Sequence, residues 1–315
     1  MKIGIIGTGA VGAACTLATI MRGCAREIVL LDKVRSRAGA VATDMRYGLP
    51  LSPMMDVRDG DYEDLEGSAL VMITAGINEK TGGATDRNDP SGRLRLLGTN
   101  AKVYEEIVPR VAKFAPAAVI VVVTDPPDPL ADIARQLAGH DRVLSTGTYL
   151  DSLRFRVHLS RKLSVSAASI DAFVVGEHGT SQVFLWSSAR VCGAPFCELL
   201  EQCDASPETF YAEVEKEVRY ANITIIEGND ASQYGIGMTC ARIAEIMLRD
   251  ENAVIPIGSY NKEYGVTLSL PSILGRHGVS RILEPEMSDD ERTAFRRSAE
   301  KLKNALGPEQ SSPPF

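Results

Sequence analysis

Basic residues are the minority charge in this chain: 34 Lys and Arg stand against 41 Asp and Glu, a formal net charge of −7. That balance excludes a basic nucleic-acid footprint. The clusters of roughly four to eight Lys or Arg that bind anionic membranes are also missing. Cysteine is sparse and unpatterned. The six (Cys15, Cys24, Cys192, Cys197, Cys203 and Cys240) form no CxxC pair and no Cys/His zinc spacing. They read as reduced thiols of a cytoplasmic protein, and no metal site is expected. Long apolar runs are lacking too. The opening "MKIGIIGTG" breaks at glycines after a few residues, so it is neither a signal-peptide core nor a membrane span. No internal repeat has solenoid spacing. What is present, in 315 residues of which 44% are hydrophobic and 24% charged, is the composition of a soluble globular protein large enough for two domains.

The first half alternates buried strands and helices. "KIGIIG", "EIVLLD", "ALVMITAG" (69–76), "AAVIVVVTDP" (117–126) and "RVLSTG" (142–147) are short apolar runs ending in turn or polar residues. "AVGAACTLATIMRG" and "RLRLLGTNAKVYEEIVPRVAKFA" have helical spacing, the latter with Pro109 at a kink or boundary. The alternation implies an α/β fold: a doubly wound parallel sheet of Rossmann type over residues 1–147, followed by a mixed α+β substrate domain over 148–307. The Pro- and Ser-rich end, 308–315, reads as a flexible tail.

Gly7, Gly9 and Gly12 form GxGxxG between the first strand and the helix that Ala10 and Val11 open. The first glycine permits a tight turn, the second lets backbone approach a pyrophosphate, and the third lets helix pack on strand. The helix N-terminus offers free N–H groups to the phosphates. Asp32, about twenty residues on, can accept from both ribose hydroxyls and would repel a 2′-phosphate, which favours NAD over NADP. A purely structural turn explains the glycines but not Asp32. The strand ends "ITAG" (Thr74, Ala75, Gly76) and "TDPP" (Asp125) border the crevice where such sheets bind ligands, although Gly and Pro end strands in any case.

Among four histidines, His178 stands in "VVGEHGTSQ" after an apolar strand. Reduction of a carbonyl needs a proton donor for the developing alkoxide, and a histidine pKa suits that task. "GTYLDSLRFR" puts Asp151 and Arg154 one helical turn apart, so one face can present an orienting carboxylate and a guanidinium fork for a substrate carboxylate. From the residues alone, a structural histidine and a solvated surface pair remain open.

The ordered set "GTGAVG", "LLD", "ITAG", "RLRLLGTNAK", "TDPPD", "GTYLDSLRFR" and "GEHGTS" resembles the lactate/malate dehydrogenase family, and the resemblance runs from residue 1 to about 285. "GEHGTSQ" and "LSLPSILGRHGV" look most similar to L-2-hydroxyisocaproate dehydrogenases. The resemblance implies an NAD-dependent L-2-hydroxy-acid dehydrogenase. In it His178 is the acid/base, Asp151 its orienting carboxylate and Arg154 the clamp on the substrate carboxylate. Arg93 is the loop arginine that polarises the carbonyl, Asn100 lies near the cofactor, and Ser232 lines the side-chain pocket. A homodimer or homotetramer acting on a small 2-oxo or 2-hydroxy acid is implied with it.

Two departures bear on substrate. Asp125 stands where the family usually has Asn; an ionised aspartate accepts hydrogen bonds and does not donate. It can be protonated in place, favour a substrate with a positive or donor group, or mark reduced activity. The segment "INEKTGGATDRNDPSG" is longer than the family's usual loop, and the substrate-discriminating position falls on Glu79 or on Asp86, with Arg87 adjacent. A mobile lid and a surface insertion without substrate contact are both open. The absence of an obvious arginine favours a lactate-like or medium-chain 2-oxo acid such as 2-oxoisocaproate. Arg87 keeps malate dehydrogenase as an alternative, and an NAD-binding sensor or scaffold with weakened catalysis is the alternative of another class.

In the second half, "SPETFYAEVEKEVRYANITIIEG" reads as one helix capped by Ser206, and "YGIGMTCARIAEIMLRD" as a buried helix. "SDDERTAFRRSAEKLKNALG" reads as an amphipathic helix with acids early and bases late. "AVIPIGSYN" and "GVTLSLPSILG" read as antiparallel strands, the first demoted towards an edge by Pro256.

Overall fold

The computed structural model describes residues 1–89, 91–202 and 206–307; the expected tail, 308–315, lies outside them. The first half builds β1 (Lys2–Ile6), α1 (Ala10–Arg22), β2 (Glu27–Leu31), α2 (Arg35–Gly48), β3 (Asp56–Asp59), β4 (Ser68–Ile73), α3 (Leu97–Phe114), β5 (Val119–Val122), α4 (Pro127–Ala138) and β6 (Val143–Ser145). These strands are parallel and ordered β3-β2-β1-β4-β5-β6. The order reverses at β1, which pairs with β2 on one side and β4 on the other, and there a crevice opens beyond the strand ends.

The strands read as unbroken apolar runs because helices cover both faces of the sheet. Successive residues divide between two cores with period two. Ile28, Leu30, Leu70 and Met72 pack on one face with Cys15 of α1, and Val29, Leu31, Val71 and Ile73 on the other with Tyr104 and Val108 of α3. Pro109 lies inside α3, and the helix continues for five residues past it to Phe114.

The second half adds α5 (Tyr149–Leu163), the two-residue strands β7 (Ile170–Asp171), β8 (Val174–Val175), β9 (Val183–Phe184), β10 (Arg190–Val191) and β11 (Ala194–Pro195), and then α6 (Phe196–Glu201), α7 (Pro207–Arg219), α8 (Ala221–Asn229) and α9 (Tyr234–Arg249). It ends with β12 (Ala253–Asn261), β13 (Val266–Gly275), β14 (Gly278–Ile282) and α10 (Asp289–Leu306). The single helix expected from Ser206 is two, α7 and α8, meeting at Tyr220. The Ser206 hydroxyl turns to Glu208 Oε2 (3.0 Å) and does not cap the helix backbone.

Pro256 does not put its strand at an edge. β12 lies between β6 and β13, and β13 carries β14, so one sheet of nine strands runs through both halves. A proline is tolerated there because β6 pairs only with Gly258 and Ser259, short of Pro256. Ile243, Ile246 and Met247 of α9 complete the α1-side core, so the second half helps close the first.

A third core gathers the aromatic residues of the second half. Trp186 stacks on Tyr211 at 4.0 Å and meets Phe155 edge-on at 4.6 Å, while its indole N–H donates to Glu215 Oε1 (2.9 Å). Phe155 has no exposed surface and shares α5 with Asp151 and Arg154. Phe155→Ala is expected to destabilise the fold by about 3–5 kcal/mol, read as a lower urea midpoint with an unchanged denaturant slope.

Candidate active site

The glycine turn is shaped by close approach. Gly7 has φ +98°, and a Cβ on it would stand 2.7 Å from the Ala75 backbone nitrogen; a Cβ on Gly12 would stand 1.9 Å from the Gly7 carbonyl oxygen. Larger residues would push α1 off the sheet. Gly9 differs: a Cβ there meets nothing within 4 Å, so its backbone faces open space at the start of α1. That is a cradle for a pyrophosphate over free helix N–H groups. Asp32 closes β2 with Oδ2 accepting from the Thr8 N–H (2.8 Å) and hydroxyl (2.9 Å) and Oδ1 from the Val34 N–H (2.9 Å). Partial burial pushes its pKa up, but these hydrogen bonds outweigh it and hold the carboxyl below its ordinary value, ionised towards a ribose. The cradle and its acid fit NAD.

Thr74 and Gly76, with Val11, wall the cleft that continues from this turn, and Ala75 adjoins them. The Thr74 hydroxyl donates to the Gly7 carbonyl (2.8 Å) and ties the β4 end to the turn. Asn100 is fully buried in α3. Its Oδ1 accepts from Ile77 N–H (2.7 Å), and its Nδ2 donates to the Asp125 carbonyl (2.7 Å). Its amide is spent bracing the two strand ends, so Asn100 positions the walls of the cleft.

The cleft, a cavity of about 110 Å³ open to solvent, is lined by His178, Arg154, Arg93, Asp125, Glu79 and Ser232. His178 follows β8, and its main-chain N–H donates to Asp128 Oδ2 (2.7 Å). Its Nδ1–H donates to Asp151 Oδ2 (2.5 Å), while Asp151 Oδ1 accepts from Arg154 Nη1 (3.0 Å). Arg93, on the turn before α3, contacts His178 Nε2 through Nη1. A guanidinium only donates, so Nε2 can accept from Arg93 only in the neutral ring with its proton on Nδ1.

The electrostatics follow from that packing. Burial lowers the His178 pKa from its ordinary value, the Arg93 charge lowers it further, and Asp151 opposes both. Burial alone would raise Asp151; the His178 ring, Arg154 and Arg93 reverse that and bring it to about 2. The buried Arg154 guanidinium is lowered first by desolvation, with Asp151 opposing and Arg93 adding repulsion. An incoming carboxylate would relieve that strain between like charges.

Asp125 sits between these groups, 3.9 Å from Arg93 and 3.8 Å from His178. Burial raises its pKa well above the carboxylate range against the pull of Arg93, and the charge and hydrogen bond of Glu79 add to the rise. Burial would raise Glu79 too, but Arg93 and the bond from Asp125 hold it low. The two buried carboxyls are thus driven in opposite directions, Asp125 up and Glu79 down.

Two residues of the loop stand apart from this cavity. Arg87 pairs with both Glu227 carboxylate oxygens on α8 (2.6 and 2.8 Å) and reaches Thr224, away from the cleft. Its expected place in the substrate pocket is not where the structure seats it. Asp86 is exposed, accepts from Asn88 N–H (2.8 Å) and lines a small neighbouring cavity behind Arg93. The loop is built from turns rather than being structureless, with Ala84 buried and Lys80 paired to Asp230.

Three partners went unread in the sequence. Asp128 receives the His178 N–H and a Ser145 hydroxyl (2.5 Å), and burial raises its carboxyl to about 7. Glu177 accepts from Ser181 N–H (2.9 Å) and Lys301 (3.1 Å), locking the histidine turn to α10. Asn222 of α8 lines the cleft and donates weakly to Glu79 Oε1 (3.4 Å). A buried Asn in the apolar run "ANITIIEG" was the available signal for the last. Among the described residues no group of three or more His, Cys, Asp or Glu is placed to hold a metal ion, and no helix is long and apolar enough to cross a membrane.

A dinucleotide cradle opening onto an imidazole, an orienting carboxylate and two guanidiniums defines a class: nicotinamide-dependent dehydrogenases of small acids. Residues 1–144 match the NAD-binding domain of lactate/malate dehydrogenase and residues 148–311 its α/β C-terminal domain. The L-lactate dehydrogenase of Chloroherpeton thalassium is 41% identical over 97% of this chain and 99% of its own, and that of Deinococcus radiodurans 40% over 95% and 96%. Two crystal structures superpose over nearly the whole chain. A lactate dehydrogenase from a Medee basin deep-sea metagenome library has a TM-score of 0.89 and 31% identity, covering 98% of each chain. The minor L-lactate dehydrogenase of Enterococcus mundtii gives 0.88 and 34%, covering 97% of each. The chain belongs to the lactate/malate dehydrogenase family. It is an NAD-dependent oxidoreductase acting on 2-hydroxy acids.

Proposed function

We propose that the chain is an L-2-hydroxy-acid dehydrogenase of lactate-like or medium-chain substrates, with His178, Asp151, Arg154 and Arg93 as its catalytic set. The observation that carries the reading is the His178–Asp151 pair, which opens on the same cleft as both arginines and the glycine turn. Gly7, Gly9, Ala10, Val11 and Gly12 would hold NAD, with Asp32 at its ribose, and the bound cofactor would supply or accept the hydride. Arg154 holds the substrate carboxylate and Arg93 polarises the C2 oxygen. In oxidation the C2–H bond breaks with its electron pair leaving as hydride, and the hydroxyl proton passes to His178 Nε2. Reduction reverses both transfers. Asp151 keeps the Nδ1 proton in place and stabilises the imidazolium once Nε2 is protonated. Thr74, Ala75, Gly76 and Asp125 wall the nicotinamide side. The loop 77–92 acts as a lid that excludes water. The division near residue 147 separates the cofactor half from the substrate half.

Pyruvate, 2-oxoisocaproate and oxaloacetate, each with NADH, test this reading. Oxidation of NADH with one of the first two is expected; cofactor binding without turnover of any would favour the sensor or scaffold alternative. Ile77, Leu150 and Ile236 line the cleft beside its polar groups and leave room for a side chain longer than that of pyruvate. The malate alternative loses its support with Arg87 engaged by Glu227.

The pH dependence has a defined sign. Oxidation uses the neutral ring, and reduction uses the imidazolium. Because burial and Arg93 push His178 below its usual 6.5, kcat/KM for oxidation is expected to persist below pH 6.5. That for reduction is expected to be falling already as pH rises towards 6.5. Initial rates in both directions over pH 5–9 check this.

The reading includes a homodimer or homotetramer in the cytoplasm. Leu17 and Met21 of α1 and Tyr234 and Met238 of α9 are each more than half exposed on two helices that pack together, an apolar surface suited to a second copy. The five described cysteines are all free, as a reducing compartment leaves them. Sedimentation equilibrium is expected to give two or four times the chain mass, and less for Met21→Asp combined with Met238→Asp.

A further inference from the structure

The acid site leaves one substrate group unassigned. With the carboxylate on Arg154, the C2 oxygen between His178 and Arg93, and the hydride donor on the glycine-turn side, the fourth substituent of C2 is left to the remaining lining of the cleft. That lining includes the polar residues Glu79, Asn222 and Ser232. It thus holds a carboxylate. The two loop cations beside Glu79 in sequence are turned outward, Lys80 to Asp230 and Arg87 to Glu227. Among the described residues Glu79 has no ion pair within 4.0 Å. Its carboxylate accepts a long bond from Asn222 (3.4 Å) and lies under the influence of the Asp125 carboxyl. Arg93, which acts on Glu79 through its charge, is held against His178.

A methyl or isobutyl group set against this carboxylate would exclude water from it and return no hydrogen bond, which is costly. A second carboxylate would add like-charge repulsion. A donor would satisfy it.

We propose that Glu79 is a specificity determinant and that the preferred substrate is a 2-hydroxy or 2-oxo acid whose side chain ends in a hydrogen-bond donor, a guanidinium or a primary amide. The inference rests on the dehydrogenase reading above and deepens it. The redox step is unchanged: hydride goes from C2 to NAD and the hydroxyl proton to His178. The discrimination is of the kind in which a site built to bind a polar group rejects analogues that lack it.

The test compares oxidation by NAD of L-2-hydroxy-5-guanidinopentanoate, L-2-hydroxyglutaramate, L-lactate, L-2-hydroxyisocaproate and L-malate. The same acids are also titrated calorimetrically into the enzyme–NADH complex, where no turnover occurs. The expected result is that a donor-ended acid exceeds L-lactate and L-2-hydroxyisocaproate in kcat/KM by at least about tenfold and binds more tightly in the NADH complex. In Glu79→Gln that ratio falls by about tenfold or more. Oxidation of L-lactate or L-2-hydroxyisocaproate as well as, or better than, both donor-ended acids overturns the inference and leaves the dehydrogenase reading standing. A ratio unmoved in folded Glu79→Gln also overturns it. If Glu79→Gln does not fold, the wild-type ranking decides. Oxidation of none of the five removes the underlying reading itself.

Discussion

His178→Asn is expected to lower turnover in both directions by about 10²–10⁴-fold while NADH still binds. The substitution keeps a polar side chain of similar girth next to Asp151, but it removes the imidazole whose Nε2 exchanges the proton with the substrate oxygen. The turn that carries residue 178 is held independently of the ring. Asp128 receives the main-chain N–H, Glu177 is tied to Ser181 and Lys301, and β8 pairs with β9. The loss should therefore appear in kcat rather than in folding. Intact NADH fluorescence titrations and an unchanged thermal midpoint would separate the two. Full-rate NADH oxidation by the variant would remove the role assigned to His178.

Arg154→Gln is expected to lower kcat/KM for every 2-oxo acid by about 30-fold to several thousand-fold, the 2–5 kcal/mol range for truncating one partner of a buried, hydrogen-bonded charge pair. Two effects add. The substrate carboxylate loses its planar partner. Asp151 loses the guanidinium that shares its charge (3.0 Å), so its carboxylate rests more heavily on the His178 ring. The first effect raises KM. The second shifts the pH profile, raising the His178 pKa through the freed charge and the removal of Arg154 repulsion. A uniform loss across substrates of different side chain would place Arg154 at the carboxylate; a loss confined to one substrate would not.

The parts of the fold that were legible in the sequence are those where local chemistry and burial agree. The strand "EIVLLD" ends in an acid because the chain leaves the sheet there, and GxGxxG can be read because a strand before it and a helix after it give each glycine a reason. The nine-stranded sheet was less legible. Nothing local to "AVIPIGSYN" says that only Gly258 and Ser259 would face β6, so Pro256 argued for an edge. The break between α7 and α8 at Tyr220 was hidden by an apolar pattern continuing through "RYANITIIEG".

The site divides in the same way. Asp151 and Arg154 share a helix turn, so their pairing follows from spacing. The contacts from Asp128 to residue 178 and from Arg87 to Glu227 join residues 50 and 140 positions apart, and no local pattern encodes them. Asn100 read as a cofactor neighbour through the resemblance, and its bracing role could not be read locally. Its buried amide finds two backbone partners first.

Reaction of pyruvate or 2-oxoisocaproate with NADH carrying deuterium at the transferred C4 position, followed by mass and chiral analysis of the product, tests the account most directly. The account predicts one deuterium at C2 of the L-2-hydroxy acid, formed at the full rate by the wild type and at a small fraction of it by His178→Asn. Product formed without deuterium at C2, or a racemic product, would contradict it.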